Sequence, residues 1–172
     1  MLRTMVDVYV GVGSNIDPER HLHQAVAELE QRFGVVHASA VYRSPAAGFP
    51  GPDFLNLVIT FRSDAGPAAV KKILAAIEDS AGRSHSDANA ASCSLDLDLL
   101  MYGCRVDAQA RLPRDDILRR VFVLAPLAEL APGLTHPVTG QTILAAWQAM
   151  TATRPLLKRV GTLRELVGPA NA

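Results

Sequence analysis

At 172 residues, with 49% hydrophobic and 20% charged, the chain is large enough to bury one core and too short for two comfortable domains, which excludes a disordered or fibrous protein. The 17 basic and 17 acidic residues balance, so no global field argues for nucleic acid or an anionic membrane. Two cysteines without C-x-x-C spacing exclude a disulfide framework and point to a reducing cytoplasm, and no apolar run reaches the roughly 18–20 residues of a membrane span. A cytoplasmic monomer or homodimer of one domain over 1–172 is expected.

In chain order, "VDVYVGVG" (6–13) reads as a strand that ends in "GSN", a break at which Asn15 can cap a helix. That helix is expected from Pro18 to about Phe33, with Leu22, Ala25, Val26, Leu29 and Phe33 on one stripe and Gly34 ending it. "VVHASAVYRS" (35–44) reads as a second strand, and the proline- and glycine-rich "PAAGFPGPD" (45–53) as a loop. "FLNLVITFRS" (54–63) is a strand with Phe54, Asn56, Val58 and Thr60 on one face. A helix follows over Pro67–Ala81, with Val70, Ile73, Leu74 and Ile77 buried and Gly82 closing it. "RSHSDANAASC" (83–93) is a polar loop. "SLDLDLLMYG" is a strand, "ILRRVFVLAPLAEL" (117–130) and 139–150 are helices, and the pattern weakens from Thr151.

The order β-α-β-β-α-β followed by helices matches an α+β fold, a ferredoxin-like α/β sandwich with a mainly antiparallel sheet. Helices on one face would leave the other face for chemistry.

The strand at 96–102 carries the sharpest signal. Alternation points Leu95, Leu97 and Leu99 one way and Asp96 and Asp98 the other, about 7 Å apart along the strand. Such a pair is either the solvated face of an edge strand or a hard-oxygen site for Mg²⁺, an ion that takes one or two carboxylates plus substrate phosphates. "GVGSN" lacks the lysine and spacing of a Walker loop and reads as a structural turn. None of the five histidines has metal-ligand spacing. Arg119 and Arg120 gain meaning only if the fold brings them near Asp96 and Asp98.

Together these segments resemble the 6-hydroxymethyl-7,8-dihydropterin pyrophosphokinase family, in order over about residues 6–138, leaving 151–172 as a C-terminal tail. "YVGVGSN" is similar to its opening strand and turn, and "VYRSPAAGFPGPDFLNLVI" to its pterin segment. "IEDSAGR" is similar to its "IExxxGR", "SLDLDLLMYG" to its "TLDLDILxYG", and "LPRDDILRRVFVLAPLAELAPGLTHP" to its C-terminal signature. The resemblance implies transfer of pyrophosphate from ATP, the co-substrate, to the pterin hydroxymethyl group, with AMP leaving. It implies small-molecule substrates, with no nucleic acid and no membrane. Asp96 and Asp98 would bind two Mg²⁺ ions, and Ser44, Pro45, Phe54, Asn56 and Phe122 would hold the pterin. Glu78, Arg83, His85, Arg111, Arg114 and Arg120 would serve nucleotide and phosphates, and the backbone of Leu97 and Leu99 would touch the adenine.

Departures from the family pattern concentrate in one loop. Ala90 stands where a tryptophan is usual and Cys93 where an arginine is, while His85 and Asn89 occupy positions that are often basic. Arg114 replaces a histidine. The alternative is therefore a divergent paralogue with weak, altered-substrate or lost activity, acting as a pterin- or nucleotide-binding protein.

Overall fold

The computed structural model describes residues 4–46, 48, 50–82, 94–150 and 157–166. Strand β1 (Val6–Ser14) lies inside the sheet, between its two antiparallel neighbours β4 (Phe54–Ser63) and β5 (Asp96–Tyr102). Two short strands, β2 (Val36–Ala38) and β3 (Val41–Ser44), pair with β4, and β6 (Lys158–Gly161) pairs with β3. The result is an open antiparallel sheet of six strands with helices packed on it, the α+β sandwich expected.

Helices α1 (Pro18–Phe33) and α2 (Pro67–Ser80) each open on a proline, whose missing N–H costs nothing in the first turn. Gly34 closes α1 at φ 81, a left-handed conformation suited to glycine. Leu22, Ala25 and Leu29 of α1 and Val70, Leu74 and Ile77 of α2 are buried against Val8, Val10, Val12, Leu55, Leu57, Leu97 and Leu99.

The opposite face is not left free. Helices α3 (Asp116–Arg119), α4 (Val121–Leu130) and α5 (Ile143–Ala149) form a second layer, in which Leu124, Leu127 and Ile143 pack on Tyr9, Val58, Leu100 and Met101. The cause lies in "VFVLAPLAEL": a helix apolar on nearly every side must be buried on more than one of them. Only the part of the sheet that α4 leaves uncovered can hold a site.

Three elements differ from the sequence expectation. The segment 35–44 splits into β2 and β3 because Ser39 Oγ intervenes, accepting from Val58 N at 3.0 Å and donating to Ala40 O at 2.7 Å. The helix expected over 117–130 breaks at Arg120, which is extended at φ −117, ψ 116. The last helix shortens to α5, whose cap Thr142 accepts from Ala145 N at 3.1 Å.

In the tail, beyond the point where the pattern weakens, β6 adds a strand to β3 and is followed by α6 (Leu163–Leu166). Glu129 at the end of α4 fastens it. Its carboxylate accepts from Arg159 of β6 at 3.3 Å, from Ala40 N at 3.3 Å and from Tyr42 OH. Burial pushes the Glu129 carboxyl up, but the bonds from Arg159, Tyr42 and Ala40 outweigh it and hold it below the usual range. Burial first, then Glu129, pushes the Tyr42 phenol up to about 12. A depressed carboxyl stabilises the fold above its unfolded pKa and loses that contribution as pH falls through the folded value. A raised phenol leaves stability constant up to the ordinary value of 10.0 and lowers it as pH rises towards 12. Glu129→Gln is expected to lower Tm at pH 7 and to flatten its acid dependence. Melts recorded across the carboxylate range check this.

None of the described helices is long and apolar enough to cross a membrane.

Candidate active site

The site is built on three strands. Gly13 of β1 pairs with Asn56 of β4 on one side and with Asp96 of β5 on the other. One row further along, Gly11 pairs with Val58 and Asp98. At strand spacing each row spans about 10 Å from β4 to β5, with a glycine in the middle. The two glycines therefore form a floor without side chains between an amide and a pair of acids.

Above this floor lies a cavity of about 210 Å³, walled by Ser44, Pro45, Phe54, Asn56, Asp96, Asp98 and Leu100 and by Phe122 and Val123 of α4. Asn56 Nδ2 donates to Ser44 Oγ at 2.9 Å, which orients the amide. A Cβ built on Gly13 would meet Asn56 Oδ1 at 3.0 Å, so that oxygen faces the floor. Apolar walls with a few convergent polar groups suit a flat heterocycle with a polar edge. The alternation that sets the acids on the cavity side ends at a register shift between Tyr9 and Val10, where Leu100 is the extra residue of β5. Leu100 and Met101 both join the layer under α4, while Leu99 stays with α1 and α2.

Other candidate residues are placed around this cavity rather than in it. Glu78 is buried in α2, and its Oε1 accepts from Leu97 N at 2.6 Å. It thereby holds the strand that carries both acids. Glu78→Ala leaves that N–H without its acceptor and is expected to cost about 1–3 kcal/mol. Denaturant unfolding checks this. The side chains of Leu97 and Leu99 lie in the core on the α1–α2 side. Arg114 pairs with Asp98 at 3.1 Å and with Asp116 at 2.7 Å, at the acid end of the site. Arg120, at the break between α3 and α4, approaches Asp116 at 3.8 Å. Arg111 lines a separate groove with Leu118 and His136. Arg83, His85, Asn89, Ala90 and Cys93 lie outside the described residues.

Sequence reasoning placed Gly11 and Gly13 in the strand over 6–13 and read "GVGSN" as a structural turn, and so missed both glycines as site residues. The signal was the alternation "VGVG" inside a strand, which puts both glycines on one face. It also gave Asn15 to a helix cap, whereas its Nδ2 donates to Pro52 O at 3.3 Å and ties the end of β1 to the loop before β4.

Among the described residues no three His, Cys, Asp or Glu side chains cluster as a complete metal cage. Asp96 and Asp98 form a two-carboxylate donor set open to a cavity. That fits Mg²⁺ whose remaining ligands come from a substrate's phosphates and from water.

The sequence model of one protein family, described as 7,8-dihydro-6-hydroxymethylpterin-pyrophosphokinase (HPPK), matches residues 9–132. A 2-amino-4-hydroxy-6-hydroxymethyldihydropteridine pyrophosphokinase of Synechocystis sp. is 40% identical over 149 residues, covering 84% of this chain and 76% of that protein. One from Methylorubrum extorquens is 36% identical, covering 83% of this chain and 92% of its own length. In structure, a Plasmodium falciparum HPPK-DHPS chain solved with pteroate superimposes with a TM-score of 0.70 at 10% identity. That match covers 92% of this chain and 48% of the Plasmodium chain, so the present chain spans about half its length.

Proposed function

Because the chain belongs to the 7,8-dihydro-6-hydroxymethylpterin-pyrophosphokinase family, we propose that it transfers the pyrophosphoryl group of ATP to the hydroxymethyl oxygen of 6-hydroxymethyl-7,8-dihydropterin. The pterin oxygen attacks the β-phosphorus and loses its proton, the bond from that phosphorus to the α-phosphate oxygen breaks, and AMP leaves. Two Mg²⁺ ions held by Asp96 and Asp98 would neutralise the phosphate charge that builds up during transfer. The protein's own task is positioning and electrostatic support.

One observation carries this reading. Ser44 and Pro45, Phe54 and Asn56, and Phe122 come from three separate stretches of the chain, and all wall the cavity onto which Asp96 and Asp98 open. In this reading Asn56, fixed by Ser44, takes the amide edge of the pterin, and Phe54 and Phe122 lie along its ring. The hydroxymethyl group then points over the glycine floor towards the acids. Arg83 and Arg120 supply positive charge to the phosphates, and His85 serves the nucleotide. Arg111, Arg114 and the backbone of Leu97 and Leu99 lie on the nucleotide side, and Glu78 acts through the strand it holds. The chain works on small molecules, as a monomer or homodimer in a reducing cytoplasm, where the exposed thiol of Cys104 stays free.

Incubation with ATP, Mg²⁺ and 6-hydroxymethyl-7,8-dihydropterin, followed by ³¹P NMR, tests the reaction. AMP and a pterin diphosphate in equal amounts are expected. ADP as the nucleotide product, or no turnover of the pterin, overturns the reading.

A further inference from the structure

Arg114 bridges two carboxylates. Its Nη2 lies 3.1 Å from Asp98 Oδ1 and its Nε 2.7 Å from Asp116 Oδ2. The arginine side chain is 22% exposed and Asp98 33%, whereas the neighbouring Arg119–Asp115 pair, at 3.7 Å, is 74% and 72% exposed. The guanidinium is thus far better sheltered than an ordinary surface pair, and its contact with Asp98 is correspondingly less screened. Main-chain contacts fix its place as well. Arg114 N donates to Leu100 O at 2.9 Å, locking the segment to the strand that carries Asp98.

We infer that Arg114 is a resident counter-charge on the metal-binding acid, occupying Asp98 until a divalent ion arrives together with the nucleotide's phosphates. This rests on the proposed Mg²⁺ role of Asp98. A cation entering alone would have to displace a guanidinium and then remain beside it, two positive charges sharing one carboxylate. A cation arriving with a triphosphate brings new acceptors for the displaced group. The bond from Nε to Asp116 lets Nη2 leave Asp98 without freeing the whole side chain, so the guanidinium can turn from carboxylate to phosphate about an anchored pivot. Arg114 is on this account a positioning residue that couples metal occupancy to nucleotide occupancy.

Mn²⁺ binding followed by EPR on the nucleotide-free protein tests this without any turnover. Loss of pyrophosphoryl transfer would overturn the proposed function and leave this titration readable. Arg114→Met is expected to tighten Mn²⁺ binding at least tenfold. Arg120→Met removes an equal charge that approaches Asp116 and not Asp98, and is expected to change it less than threefold. Unchanged affinity in Arg114→Met, or an equal gain in both variants, overturns the inference. Should Arg114→Met fail to fold, Arg114→Gln keeps polar contact with Asp116 without the charge and is read by the same criterion.

Discussion

Asp98→Asn is expected to lower kcat on the order of 10³ or more while leaving the fold intact. The substitution keeps the shape of the side chain and removes one of the two negative charges on which the proposed Mg²⁺ and phosphate site would rest. Asp98 lines the cavity on a strand whose opposite face is packed with leucines, so nothing in the core is disturbed. Arg114 keeps its second partner, Asp116. Loss of the charge pair with Arg114 is therefore expected to cost no more than about 1 kcal/mol of stability. Pterin binding in the absence of nucleotide should change little, because in the proposed reading the ring lies over Asn56, in the Gly13 row, while Asp98 belongs to the neighbouring Gly11 row. The checks are the rate of AMP release and a thermal melt. A variant that retains more than a tenth of the wild-type rate would remove Asp98 from the metal site.

Gly13→Val is the second large effect, and it acts on the pterin rather than on the phosphates. A valine suits a strand, and Gly13 has no left-handed backbone to strain, so the sheet tolerates it. Its side chain would rise from the floor midway between Asn56 and Asp96. The first carbon alone lies 3.0 Å from Asn56 Oδ1, and the two methyls have only the cavity to enter. KM for the pterin is expected to rise on the order of 10²-fold or more, since the polar edge would lose its amide partner and the ring its space. Gly11→Ala is the milder control, because its Cβ meets Leu100 at an ordinary 3.5 Å. Calorimetric titration with the pterin separates the two variants, and an unchanged affinity in Gly13→Val would show that the ring does not lie on this floor.

Much of the site could be read from residue order because strand alternation is a short-range rule. Two residues apart on one strand means one face, and this placed Asp96 with Asp98 and Phe54 with Asn56 before any coordinates were needed. It failed wherever the outcome depended on a partner element. The extra residue Leu100 exists only because β1 and β5 shift register, and no local pattern in "LDLLMY" announces it. Arg120 interrupts a sequence that is helical in propensity, since the chain there must turn α4 onto the sheet. The strand β6 has four residues, "KRVG", too few and too polar to show a period, and it forms because β3 offers an unpaired edge and Glu129 a carboxylate. The pairing of Arg114 with Asp98 was out of reach for a related reason: 16 positions separate them, and only the folded segment after Pro113 brings them together.

The margins of β3 and β5 are guarded by different devices. On β3 the closing element is β6, supplied by the chain's own tail. On β5 the Glu78 carboxylate takes the Leu97 N–H, so a side chain stands where an incoming strand would dock. Beyond β3, β6 then becomes the terminal strand, but with four residues, two of them Lys158 and Arg159, it is a short and charged margin that templates sheet extension, the usual route to fibrillar or edge-to-edge assembly, poorly. A chain truncated before residue 157 would keep every residue of the cavity and acquire an adhesive β3 margin. Such a truncation should show itself first as concentration-dependent precipitation, with catalysis per soluble molecule little altered.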